Sequence, residues 1–80
     1  MGEQERRRIH ELDATVRVGK GGIEAVAEEL SDQLHERDLV KVKFLRSARG
    51  GTDTEELASA LAAETGAEVL ETRGHTATYR

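Results

Sequence analysis

The chain contains no cysteine, no proline and no tryptophan, and its only aromatic residues are Phe44 and Tyr79. Without cysteine there is no disulfide framework, no thiolate zinc site and no cysteine nucleophile, and a reducing, cytoplasmic setting is expected. With aromatics this scarce, the core must come from Leu, Val, Ile and a large stock of Ala. Long hydrophobic runs are missing as well. No stretch approaches the ~18 apolar residues of a membrane span, and MGEQERRRIHEL lacks the apolar segment of a cleaved signal, so neither membrane insertion nor export is expected. Eighty residues supply one small core, so residues 1–80 are expected to form a single domain. A domain of that size buries roughly 60% of its unfolded surface.

The hydrophobic pattern predicts alternating helices and strands. Residues 3–12 are mostly Glu, Gln and Arg with Ile9 and Leu12 three apart, which supports a short helix. Thr15-Val16-Arg17-Val18 alternates with period two and reads as a strand, closed by Gly19-Lys20-Gly21-Gly22. From Ile23 to Arg37 the apolar residues Ile23, Val26, Ala27, Leu30 and Leu34 fall at helical spacing. Leu39–Leu45 is a second strand that sets Val40, Val42 and Phe44 against Lys41 and Lys43 on opposite faces. Residues 46–51 have the composition of a flexible loop. Thr52 followed by Glu55 fits a capping box for a helix that starts near Asp53, with Leu57, Ala58, Leu61 and Ala62 inward and Gly66 as its left-handed end. Residues 68–72 and 76–79 form a closing hairpin around Arg73-Gly74-His75.

The expected fold is therefore α/β, a two-layer sandwich in the order α-β-α-β-α-β-β with a four-stranded mixed sheet. Right-handed crossovers place both long helices on one face. The other face is left largely open, with Arg17, Lys41, Lys43, Thr76, Thr78 and Arg80 pointing from it.

Charge is segregated along the chain. The total is −4, from 16 acids and 12 bases, which taken alone argues against a polyanionic partner. Yet residues 24–38 hold Glu24, Glu28, Glu29, Asp32, Glu36 and Asp38 against one base, Arg37. Residues 17–20 and 39–49 hold Arg17, Lys20, Lys41, Lys43, Arg46 and Arg49 and no acid. The expected molecule has an acidic helical layer and a basic edge. An excess of Glu and Asp beside nine arginines and three lysines also resembles surface chemistry suited to high salt, where a low pI carries little weight against an anionic ligand.

Gly19-Lys20-Gly21-Gly22 lies between a strand and a helix, where backbone N–H groups and the helix dipole favour a phosphate. The spacing is neither that of a P-loop nor that of a dinucleotide-binding turn. It fits the GXXG form that clamps nucleic-acid backbone, and it equally fits a plain strand-to-helix turn. The three histidines, His10, His35 and His75, are scattered without metal-ligand spacing, and no serine has the context of a nucleophile. No cofactor, metal or catalysis is expected. Tyr79 alternates with Ala77 toward the core, so any nucleic-acid contact should be with phosphate and overall shape rather than base edges.

Taken in order, Val18-Gly19-Lys20-Gly21-Gly22-Ile23, Leu39-Val40-Lys41-Val42-Lys43, Glu64-Thr65-Gly66-Ala67 and the closing Gly74 to Tyr79-Arg80 resemble the CRM domain, the chloroplast RNA splicing and ribosome maturation module, in its stand-alone YhbY-like form. The resemblance covers roughly residues 9–80. It implies a fold similar to the C-terminal domain of bacterial translation initiation factor three, and RNA binding without catalysis. It also implies partners among ribosomal RNA or pre-ribosomal particles of the large subunit. Carried over by position, Gly19, Lys20, Gly21 and Gly22 would form the RNA-contacting loop and Lys41 and Lys43 the basic strand. Together with the charge pattern, the expected RNA-binding set is Arg17, Gly19, Lys20, Gly21, Gly22, Lys41, Lys43, Arg46, Arg49, Gly74, His75 and Arg80. This chain departs from the family in a shortened first helix, in having no proline, and in His75 where the family tends to have lysine. A monomer without DNA specificity is expected. The alternative is a protein-interaction domain that docks a basic ribosomal protein through the acidic segment from Glu24 to Asp38.

Overall fold

In the computed structural model, which describes residues 2–80, the elements are α1 (Glu3–Glu11), β1 (Ala14–Val18), α2 (Ala27–Glu36), β2 (Val40–Phe44), α3 (Thr54–Thr65), β3 (Val69–Arg73) and β4 (Thr76–Tyr79). The strands form one mixed sheet in the order β1-β2-β4-β3, with β1 parallel to β2 and the other neighbours antiparallel. The expected order of elements, the four-stranded mixed sheet and the packing of α2 and α3 on one of its faces are therefore present.

Alternation builds the core. Val16, Val18, Val40, Val42, Phe44, Ala77 and Tyr79 all project to the helix side, where Leu30 of α2 and Ala58 and Leu61 of α3 meet them. Small residues on α3 let that helix lie close to the sheet, and the Tyr79 hydroxyl donates to the Ala58 carbonyl at 2.9 Å. Gly66 ends α3 with φ +77°, a left-handed geometry that an L side chain adopts only with strain.

Four expectations are corrected. The helix expected over Ile23–Arg37 is interrupted. Ile23–Ala25 is a single 3₁₀ turn, and the α-helix starts at Ala27. The loop folds back on that turn so closely that a Cβ on Gly21 would stand 3.1 Å from the Ala25 Cβ, and the tighter i+3 winding accommodates it. Second, residues 46–51 contain a 3₁₀ turn at Arg46–Ala48, and Arg49 Nε donates to the Phe44 carbonyl at 3.1 Å. Third, the cap of α3 is Asp53, whose carboxylate accepts from the Glu56 N–H at 2.8 Å, while the Thr52 hydroxyl reaches the Glu56 carboxylate.

The fourth correction concerns the open sheet face. His10 of α1 lies 3.2 Å from the Glu71 carboxylate, and Glu71 pairs in register with Thr78, on the face away from α2 and α3. Thr78 is only 1% exposed, and Ile9 is equally buried yet outside the main core. Helix α1 thus lies over the half of that face nearest the starts of β1 and β2. Arg8 anchors its other side to Asp38 at 2.8 Å, and that hydrogen bond holds the Asp38 carboxyl below the usual carboxylate range. Single charged helices of this kind carry too little apolar pattern to announce which surface they cover.

Candidate nucleic-acid interface

Three chain reversals meet at one end of the sheet. Because β1, β2 and β3 run in the same direction, the segments after Val18, Phe44 and Arg73 all emerge there. The Leu45 N–H donates to the Val18 carbonyl at 2.8 Å and the Phe44 N–H to the His75 carbonyl at 2.7 Å, tying the three together. A Cβ on Gly19 would lie 3.6 Å from Ser47 Oγ, so the glycine loop rests directly against the 46–48 turn.

Within the loop, the Gly22 N–H closes a turn onto the Gly19 carbonyl at 3.0 Å, and Gly22 sits at φ +74°. The N–H groups of Lys20 and Gly21 have no backbone acceptor among the described residues, so they are available to an anion. Lys20 is exposed beside them.

The strand cations divide into two rows. In the row nearest the loop end, Arg17 pairs with Lys43, Lys43 with Thr76 and Thr76 with Arg73. All three of these cations are exposed, and none makes a salt bridge among the described residues. The next row runs Ala14, Lys41, Thr78, Glu71, and it is the one under α1. A register shift in each edge strand, between Ala14 and Val16 and between Val69 and Glu71, marks a bulge. The first of these bulges turns Thr15 toward α2, where its hydroxyl bonds Gln33.

The expected site residues therefore separate. Arg17, Gly19, Lys20, Gly21, Gly22, Lys43 and Arg46 gather at one end. Lys41 lies one row away, half-buried and sharing its row with Glu71. Arg80 is at the opposite end of the sheet, where it is paired with Glu68 at 2.7 Å, because β4 runs away from the loops. Arg49 is partly buried through its bond to Phe44. Gly74 and His75 form the hairpin turn, but with Arg49 they line a recess of about 460 Å³ that also contains Asp53 and Glu55, so acids of the helical layer reach this end too. Arg73 belongs with the first row and was missed, because in the sequence it looks like part of a turn. Counting alternation back from the two-residue turn at Gly74-His75 places its side chain on the Lys43 face.

The family model for the CRS1 / YhbY (CRM) domain matches residues 3–80. A Methanocaldococcus jannaschii protein whose name proposes RNA binding is 42% identical over 73 residues, covering 91% of this chain and 54% of that protein. This chain thus spans about half the length of that relative. The solution structure of a Staphylococcus aureus protein, whose description also proposes RNA binding, shares the fold with a TM-score of 0.72 at 31% identity. That likeness covers 92% of this chain and 76% of the other. The glycine loop, the basic strand and the helix-sheet order all lie within the matched residues, and the chain belongs to the CRS1 / YhbY (CRM) domain family.

Proposed function

We propose that this protein binds folded RNA through its backbone phosphates and serves in maturation of the large ribosomal subunit as a cytoplasmic monomer, without catalysis and without preference for DNA. The observation that carries this reading is the gathering of Arg17, Lys20, Lys43, Arg46 and Arg73, none of them in a salt bridge among the described residues, around a glycine loop with free N–H groups. Family membership and the names of the two relatives support RNA as the ligand. The phosphate contacts would fix position and orientation, as such contacts do elsewhere.

The test is fluorescence anisotropy with a labelled fragment of large-subunit ribosomal RNA over a KCl series. Affinity is expected to fall with salt by a log–log slope of about −0.7 to −0.9 per phosphate contact. Replacing Lys20 and Lys43 together by Gln should lower both affinity and slope, and Lys41→Gln should do so less. Unchanged binding in the double variant contradicts the assignment.

A second reading has its own observation. Glu24, Glu28, Glu29, Asp32 and Glu36 are all exposed, and none is in a salt bridge among the described residues, which suits a basic protein partner. Capture of a basic ribosomal protein that survives nuclease treatment would favour it.

A further inference from the structure

Phe44 and Tyr79 face the helices and are both 0% exposed, so a nucleobase near the glycine loop finds no flat surface except guanidinium groups and His75. Many proteins that hold single-stranded RNA stack unpaired bases against such a surface. In a duplex the bases already stack on one another, and the protein needs only to meet phosphates and 2′-hydroxyls.

The cations are also laid out across the strands rather than along one. From Arg17 on β1 through Lys43 on β2 to Arg73 on β3 there are three strand spacings, about 14 Å in all at ~4.8 Å each. A row of that width can reach across the wide, shallow minor groove of an RNA duplex. Between Lys43 and Arg73 stands Thr76, whose hydroxyl donates to the Arg73 carbonyl at 2.9 Å and so presents its oxygen as an acceptor.

We propose that the ligand is base-paired RNA. The glycine loop, Lys20 and Lys43 take phosphates of one strand, Arg73 takes one of the other, and Thr76, which stands between Lys43 and Arg73, accepts from a 2′-hydroxyl in the shallow groove. This inference rests on the phosphate-binding reading above.

Anisotropy with three labelled probes separates the two: an RNA duplex of about 16 base pairs, a single-stranded oligouridine of equal length, and the DNA duplex of the same sequence. The RNA duplex is expected to bind roughly tenfold tighter than the single strand, and Arg73→Gln should weaken it severalfold and reduce the salt slope by about one contact. Arg73 is exposed, so circular dichroism and the thermal midpoint should not change. Thr76→Val should narrow the difference between RNA and DNA duplexes. Single-stranded RNA binding as tightly as the duplex, or Arg73→Gln leaving duplex affinity intact, overturns the proposal while RNA binding stands. Failure of all three probes to bind overturns the phosphate reading and this one with it.

Discussion

Tyr79 joins the two layers through one bond. Its ring fills the core in the row it shares with Val40 and Val69, and its hydroxyl donates to the carbonyl of Ala58, so a buried polar group is satisfied where an orphan would be costly. Burial pushes the phenol well above its ordinary value. Because the folded-state value exceeds the unfolded one, the stabilisation is complete below about pH 10, the unfolded value, and is lost as pH rises from there toward the folded value. Tyr79→Phe is expected to cost about 0.5–1.5 kcal/mol in urea unfolding at neutral pH. It should also flatten the alkaline decline of stability relative to the parent. An equally steep alkaline decline in the Phe variant would show that other groups cause it.

Helix α1 is the element on which half of the sheet's outer face depends. It has no side-chain cap at its start, and Ile9 is its one buried residue. Ile9→Ala is expected to cost about 2–5 kcal/mol, as buried large-to-small changes do, and to speed hydrogen exchange at Thr78 and Lys41. Arg8→Ala, which breaks only an exposed ion pair, should leave the unfolding midpoint close to that of the parent. A stability unchanged by Ile9→Ala would mean that α1 does not hold this face. The strands were legible in the sequence because period-two alternation fixes their faces, as in Val40, Val42 and Phe44. The docking of α1 was not, since it is decided by contacts between residues 61 and 30 positions apart, His10 with Glu71 and Arg8 with Asp38. Local pattern also failed at the cap of α3. Thr52 and Asp53 each precede a glutamate by three residues, and only the backbone selects Asp53. The basic loop end was legible from position-by-position charge. Arg73 was obscured by its turn neighbours, and the separation of Lys41 and Arg80 from the site follows from strand direction and helix placement.

For the molecule as a whole, the net charge of −4 conceals a division between α2 and the loop end of the sheet. Exposed acids line α2, while Arg17, Lys43 and Arg73 share one row on the opposite face. This polarity lets an acidic protein present a local field that attracts a polyanion, and it orients the approach so that the helical layer faces away. Titrating isotope-labelled protein with RNA and following backbone amide shifts tests that orientation most directly. Shifts concentrated at Arg17–Gly22, Lys43, Arg46–Arg49 and Arg73–Thr76, with residues 27–36 of α2 unmoved, are the predicted result. Shifts centred on α2, or spread evenly over both layers, would contradict it.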